Sequence, residues 1–530
     1  MNTRLTDKIK NNEKILLEDV KPNDRKNGYP LHVPEWYTRI FETIPGAITW
    51  FFLALPFLAA FFGFPEFMVW YVAFLTLYWG YRSFKFVYGI FIAYFRMNRD
   101  VKTDWIERIE KEGLNRDHLK YVYILPIYKE GYDVIEPTID AWSKSDVGAD
   151  RISVVFALEQ RAIDISKPVV EKIISKYGKL FRETIISIHP KDIEGEIVGV
   201  KNPNINWATR LFVEKVQERN EKLDDYLLIT CDSDLRPHPK YLSAITYKFL
   251  LEKEPHKKFY STAIHTFNNN VYNVPSLVRI FSHFLSLVIM NEWVTRKKTR
   301  ETWSSYVASL RTVHEIGYWD PEIPNDDTAF YFNALIRYNG EFAGEEVYIP
   351  TYSDAVENKD FINTHKALYK QQLRWGWGSI VFPMTFAGLY KNKNIPLKKK
   401  LEIALPMFDD RLLFRTTVYL ITFALPILTL LSPGFKFSSA SYNLPRIMST
   451  ILTAIVFLNI PIYFVKTKLS PRPKNWNIIR IIGDVLETIL ITVNLLTFAF
   501  IPYVQAWTEM MLGKSKKQEY YVTDKVSIKK

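Results

Sequence analysis

The stretch Tyr226-Leu-Leu-Ile-Thr-Cys-Asp-Ser-Asp-Leu235 decides the reading of this 530-residue chain. Leu227–Thr230 is short, apolar and partly β-branched, the pattern of a buried strand. Asp232 and Asp234 come as it ends. A strand closing on Asp-x-Asp sets carboxylates at the carboxyl edge of a sheet, where open α/β folds keep their ligands. Hard oxygen donors there suit Mg²⁺ or Mn²⁺ bridging to a diphosphate. An ordinary solvated turn has the same spelling, so the meaning of the pair rests on what surrounds it.

Upstream, two periodicities alternate: strand 121–127, helix 133–143, strand 152–157, helix 167–176, strand 184–188, helix 205–222, strand 226–231. This predicts an open α/β sheet with helices on its faces. Ile124-Leu-Pro-Ile-Tyr-Lys-Glu130 ends in a turn that brings Tyr128 and Glu130 to the same edge as Asp232, and Ile152-Ser-Val-Val-Phe-Ala-Leu-Glu159 is a second strand ending on a carboxylate. The one cysteine, Cys231, excludes an intramolecular disulfide and a cysteine-based zinc cluster. Its place in the strand predicts a packing role. His189, His238, His265 and His314 lack metal-ligand spacing, and only His265 is expected near the cleft.

The net charge is +12. The basic residues gather beside apolar segments: Arg25, Lys26 and Arg39 before the first, Arg96, Arg99 and Lys102 after the second, Lys466, Lys468, Arg472 and Lys474 between later ones. That is the positive-inside pattern, suited to an anionic cytoplasmic leaflet, and not the interleaved basic-aromatic element of a nucleic-acid binder. The first forty residues are polar and charged, so no cleavable signal peptide is expected there. The expected division is a cytoplasmic leader at 1–40, two transmembrane helices within 41–97, a soluble domain at 100–380, interfacial amphipathic helices at 381–410, further transmembrane helices within 411–510, and a tail at 511–530. The apolar stretches at 44–63, 66–95, 412–432, 446–465 and 478–508 are each long enough to cross a bilayer.

Two spans before the soluble domain and three simple spans after it would put the tail outside. The tail carries Lys514, Lys516, Lys517, Lys525, Lys529 and Lys530, which argues for the inside. The last apolar stretch is therefore expected to be broken or re-entrant, with Asn494 and Pro502 as break points. Asp484 and Glu487 within it must face protein or water.

Downstream of Asp-x-Asp come Pro324-Asn-Asp-Asp-Thr328 and then Gln371-Gln-Leu-Arg-Trp375. In this order, between membrane segments, these motifs resemble family-2 glycosyltransferases of the membrane-embedded cellulose, hyaluronan and chitin synthase type. The resemblance covers 120–380 by motif and nearly the whole chain by layout. It implies an α/β, GT-A-type (Rossmann-like) cytoplasmic domain inserted between transmembrane helices of a plasma-membrane protein. It implies a metal-dependent, inverting hexosyltransferase that moves a sugar from a UDP-sugar to a growing β-linked polysaccharide and translocates the product. Single addition to a membrane lipid acceptor is the alternative; a non-catalytic nucleotide-binding protein or transporter would not need to retain Asp232, Asp234, Asp327, Arg374 and Trp375.

The resemblance also implies roles. Asp327 takes the general-base position if Asn325-Asp326-Asp327 stands for the family's Thr-Glu-Asp; the same acids suit a helix N-terminus. Asp232 and Asp234 hold the cation. Tyr128, Glu130, Glu159, Lys201 and Asp232 meet the nucleotide, with Glu159 where the family has Asp. Arg374 pairs with the diphosphate, Gln371 lies one turn earlier on the same helix face, and Trp375 offers its ring to the acceptor sugar. Glu519-Tyr-Tyr-Val-Thr-Asp-Lys525 resembles the family's Phe-x-Val-Thr-x-Lys gating loop, which would bring Thr523 and Lys525 over the nucleotide. The implied partners are a nucleotide-sugar, a polysaccharide or lipid acceptor and the bilayer, without nucleic acid.

Overall fold

The computed structural model describes residues 35–191, 193, 196, 201–321, 323 and 326–514. The leader up to residue 34, Asn325, and the tail motif with Thr523 and Lys525 lie outside them.

Four parallel strands form the heart of the soluble domain: β1 (Lys120–Ile127), β2 (Ile152–Glu159), β3 (Glu183–His189) and β4 (Tyr226–Thr230). β5 (Arg236–Pro237), β6 (Lys258–Thr262), β7 (His265–Thr266), β8 (Tyr306–Ser309), β9 (Ala343–Val347) and β10 (Thr351–Tyr352) follow. The large sheet runs β3-β2-β1-β4-β8-β6-β9, with β8 antiparallel to both its neighbours. β2 and β4 are buried at every position, as strands covered on both faces must be. The order reverses between β1 and β4, so the crevice beyond their carboxyl ends is a topological switch point. A small sheet, β5-β10-β7, lies just past it.

The helices, in chain order, are α1 (Glu35–Phe61), α2 (Pro65–Asp100), α3 (Tyr132–Ser143), α4 (Ile163–Tyr177), α5 (Lys201–Glu218), α6 (Tyr241–Leu251), α7 (Ser276–Thr295), α8 (Asp326–Arg337), α9 (Phe361–Gly376), α10 (Val381–Lys391), α11 (Leu397–Phe408), α12 (Phe414–Leu431), α13 (Ser439–Phe457), α14 (Asn459–Leu469), α15 (Ile478–Leu486), α16 (Leu490–Leu496) and α17 (Ile501–Met511). Shorter helical turns join them. Two apolar cores, one on each side of the sheet, alternate along the strands: Val122, Ile124 and Leu228 point into one, Tyr121, Tyr123, Leu227 and Ile229 into the other. The result is a mixed α/β arrangement around a central sheet, as the alternating periodicities predict. The expected helix at 205–222 starts earlier, at Lys201, and ends at Glu218. Its first turns are held by side-chain bonds that propensity does not register.

Among the described residues five stretches are long and apolar enough to cross a membrane: Trp36–Phe61, Ser276–Thr295, Leu397–Leu431, Ser441–Leu469 and Ile478–Met511. They differ from the expected set at two places. α7 qualifies by composition, yet 67% of its apolar window is buried within the protein. α2 does not qualify, although its 36 residues make about 54 Å of helix. Arg82 and Lys85 interrupt its apolar run. Arg82 pairs with Asp409 at 2.9 Å and lies 4.4 Å from the Phe414 ring centre.

The last apolar stretch is broken, into α15, a short 3₁₀ turn, α16 and α17. Thr497 leaves helical geometry at φ −114°, ψ −88°. Asn494 donates to the carbonyl of Leu277 at 3.0 Å, and Pro502 opens α17. Asp484 meets Lys466, Arg472 and the Tyr463 hydroxyl, while Glu487 meets Arg279 and Ser276, as the cost of burying charge requires. α17 then packs on α9 and α1. Arg39 donates to the last carbonyls of α17, Met510 at 3.1 Å and Met511 at 3.0 Å, so the start of α1 and the end of α17 sit together. Of the expected interfacial pieces, α11 leaves Leu397, Leu401 and Leu405 exposed on one face, whereas α10 is buried along most of its length.

Candidate active site

Ten of the sequence-selected residues line one cavity of about 1,000 Å³: Tyr128, Glu130, Glu159 and Lys201 on one side, Asp232 and Asp234 at its edge, and Asp327, Gln371, Arg374 and Trp375 across from them. β1, β2 and β4 deliver the first six with α5. The other four come from α8 and α9.

The Asp-Ser-Asp turn is pinned from three sides. Leu235 N–H bonds the Asp232 carbonyl at 3.1 Å, Thr138 Oγ1 the Ser233 carbonyl at 2.9 Å, and Asn269 Nδ2 the Asp234 carbonyl at 3.1 Å. The two carboxylates differ. Asp234 is buried and accepts the Asp354 N–H at 2.8 Å. The Asp232 side chain is 40% exposed, with Lys201 Nζ 3.4 Å from Oδ1. Asp232 is thus the more open to an incoming ligand, a difference the two letters in sequence cannot express. Among the described residues no cluster of three or more His, Cys, Asp or Glu surrounds them. The pair fits Mg²⁺ or Mn²⁺ in the way Mg²⁺ is commonly held, by one or two carboxylates with substrate phosphates completing the shell.

Asp327 sits in the first turn of α8, its Oδ1 taking the Thr328 N–H at 2.8 Å. The expected base therefore stands at a helix start. Burial raises its pKa above the ordinary carboxylate value; Lys201 and the Thr328 N–H pull it back, Asp232 pushes it further up, and Arg374 lowers it. The residue that attracts a proton is therefore within electrostatic reach of both sequence motifs.

Glu159 is buried at the end of β2, 3.4 Å from Arg161 Nε and 3.5 Å from His189 Nδ1. At that distance His189 Nδ1 makes an ion-pair contact without a hydrogen bond; its Nε2 bonds Glu196 at 2.9 Å. Burial works against the imidazolium, but Glu159 and Glu196 together outweigh it and raise the ring to about 9. Arg161 also lies 4.8 Å from the Tyr128 ring centre. Glu130 bends back to the Tyr128 N–H at 2.7 Å and fixes that turn.

Asn202 and Asn204 escaped the sequence reading, and Asn206 entered it only as part of a helix expected, by resemblance, to position the nucleotide. In the first turns of α5 the three donate to carbonyls of Asp320 and Ile323, of Ala157, and of Trp319. They bolt Lys201 between β2 and the loop leading to Asp327. Three poor helix formers opening a helix were the available signal. His265 does line the cavity; burial lowers its pKa, with Asp234 and Asp232 opposing, and Nδ1 lies 3.0 Å from Thr351 Oγ1. Cys231 is buried and burial pushes its thiol up to about 12, so it is a packing residue.

α9 starts at Asp360, whose side chain caps Asn363 N–H at 2.8 Å. Its far end is held by α17: Tyr503 Oη donates to Gln372 at 3.3 Å, and Trp507 Nε1 lies 3.2 Å from the Gly376 carbonyl and 3.0 Å from Ser379 Oγ. Trp375 is half-buried, packed against two apolar clusters and open to the cavity. From there the same cavity continues between the apolar helices, past Trp79, Phe414, Val418, Leu452 and Leu495.

Residues 227–465, from β4 through α14, match the family model described as glycosyl transferase family group 2. No curated protein matches the chain in sequence. Solved structures similar to it include a mannosyltransferase, PcManGT from Pyrobaculum calidifontis, in complex with GDP-Man and Mn²⁺ (13% identity, 80% of this chain and 99% of that one, TM-score 0.37). S. aureus TarS 1–349 with UDP-GlcNAc gives 12% identity over 66% of this chain and 90% of that one, TM-score 0.35. Glucosyl-3-phosphoglycerate synthase from Mycobacterium tuberculosis gives 14%, 52% and 81%, TM-score 0.30. Scores this low carry no conclusion about activity.

Proposed function

We propose that this domain is a family 2, inverting glycosyltransferase that takes a sugar from a nucleotide diphosphate, UDP being the expected carrier, and adds it to an acceptor reaching the site from the membrane side. The observation that carries this reading is the single cavity joining the Asp232–Asp234 edge, Asp327 and Trp375 to the space between the apolar helices.

The chemistry follows from the charges. The acceptor hydroxyl gives its proton to the Asp327 carboxylate as its oxygen bonds the anomeric carbon. The bond from that carbon to the diphosphate breaks on the opposite face, and the nucleotide diphosphate leaves with the electron pair. Lys201 and Arg374 are placed to offset the charge that builds on it. A divalent cation held by Asp232 and Asp234 would supply further Lewis-acid stabilisation when bound. Trp375 presents an aromatic face to the acceptor.

The first reading of the acceptor is a growing β-linked polysaccharide, translocated between the helices, with the catalytic domain in the cytoplasm. Single addition to a lipid is the second; the aliphatic Val418, Ile421, Leu452 and Ile455 along the inner cavity favour it, because they offer an acyl chain more than they offer a sugar. The test is a panel of UDP- and GDP-sugars with Mn²⁺ or Mg²⁺ on purified protein, with product split between organic and aqueous phases and then digested with glycosidases. Divalent-dependent nucleotide release is expected. A polymer in the aqueous phase supports the first reading and an organic-phase glycolipid the second; no release from any donor sinks both.

A further inference from the structure

A second hollow, of about 410 Å³, lies away from the active site, between α2 and the end of α7. Three cations line it, Lys85, Arg96 and Lys297, and the described lining residues include no carboxylate. Tyr81, Tyr88 and Phe95 also line it, and each is about 60% exposed. Residues 81, 85, 88, 92 and 95 recur at helical spacing, so one face of α2 carries rings and cations together.

Depth along α2 gives this face a meaning. At about 1.5 Å per residue, Tyr81 to Arg96 lies roughly 24–46 Å from the helix start. A bilayer's hydrocarbon is about 30 Å thick, and about 40–45 Å with one headgroup region at each face. With α2 crossing the bilayer from its start, as the proposed membrane arrangement has it, the hollow falls where the hydrocarbon gives way to headgroups on the side of the soluble domain. Exposed tyrosines belong at that depth, and cations there meet lipid phosphate.

We infer that this hollow is a binding site for an anionic phospholipid, its phosphate held by Lys85 and Lys297 and its upper chain against Tyr81 and Tyr88. Arg96 donates to the Tyr348 hydroxyl at 2.7 Å and lies 3.5 Å from Glu346, so it forms the floor and adds to the field. The site abuts a wall of the active cavity. Val294 and Thr295 line the hollow, while Trp293, in the same turn of α7, lines the cavity. α2 and α7 touch closely here: a Cβ on Gly89 would lie 2.9 Å from Asn291 Cα.

The test reads binding directly and does not depend on the transferase reading. Detergent-solubilised full-length protein is titrated with phosphatidylglycerol and with phosphatidylcholine, and retained lipid is counted by native mass spectrometry. One phosphatidylglycerol held at least about tenfold more tightly than phosphatidylcholine is expected, with the preference lost in the Lys85→Gln/Lys297→Gln double variant. Lys85→Arg/Lys297→Arg should keep it, and Lys398→Gln/Lys400→Gln, elsewhere on the surface, should not change it. Equal retention of the two lipids, an unchanged preference in the glutamine variant, or equal loss in the arginine or distant variants would overturn the proposal. Displacement by millimolar inorganic phosphate would also overturn it, assigning the site to free phosphate.

Discussion

In the proposed reaction Asp327 has to be ionised to accept a proton, and its surroundings favour the protonated form. Below its raised pKa the base is occupied and transfer stops; above it the carboxylate is ready. The acid limb of the pH–rate profile should therefore fall at a higher pH than for an ordinary aspartate. Asp327→Asn should lower turnover by about 10²–10⁴ while nucleotide binding stays near wild type, checked by titration beside the rate assay. Trp375→Ala should separate two activities: donor hydrolysis continues and transfer to acceptor falls. Stacking platforms are worth about 1–3 kcal/mol per ring, so product formed per nucleotide released is the quantity to measure, and an unchanged ratio makes Trp375 a packing residue. His189 gives a stability prediction. Its pKa rises from 6.5 to about 9 on folding, so its contribution is complete below pH 6.5 and is lost as pH climbs through 9. His189→Gln should flatten the fall in melting temperature across that window.

At the scale of elements, the helix bearing Gln371, Arg374 and Trp375 depends on its contact with α17. A Cβ on Gly376 would meet Ala506 Cβ at 2.8 Å and Tyr503 Cα at 3.2 Å. Gly376→Ala should push the two helices apart and destabilise by about 1–3 kcal/mol, as overpacking does, seen as a lower melting temperature with a parallel loss of transfer. This is also the scale at which sequence and structure part. Strand ends were legible because a short unbroken apolar run and a terminal carboxylate are local signals, so Glu159, Asp232 and Asp234 could be placed at one edge in advance. The bolts on Lys201 were not, because Asn202 and Asn206 act on carbonyls more than a hundred residues away. Nor was the unequal exposure of Asp232 and Asp234, which depends on a backbone N–H from Asp354. α7 lies in the stretch read as soluble by composition, and α2 is expected to span on the length of its apolar run, which Arg82 and Lys85 interrupt.

For the whole molecule, the meeting of Arg39 with the end of α17 bears on sidedness. If α1, α2, α12 and α13–α14 cross and α15–α17 returns, residue 514 lies on the same side as residue 39 and as the soluble domain. Vesicles and a membrane-impermeant maleimide can check this, since buried Cys231 should stay silent. Lys102→Cys and Lys514→Cys should label from one side, and Phe62→Cys and Phe437→Cys from the other. Labelling of 514 together with 62 would mean that α15–α17 crosses after all.

The same contact sets an order of assembly during translation. Tyr503 and Trp507 wall the cavity, yet they follow the proposed catalytic carboxylates by more than 170 positions in the chain. Their helix must then travel back to a segment made long before. A ribosome that has finished β4, α8 and α9 has produced the carboxylates and the Arg374–Trp375 pair but not the enclosure around them. Closing so long a loop is slow to nucleate, so a nascent chain carries its reactive groups in an open cleft until the later helix docks. Completion of the fold and onset of activity become one event, and a chain interrupted before Ile501 should be stable enough to bind nucleotide yet idle in transfer.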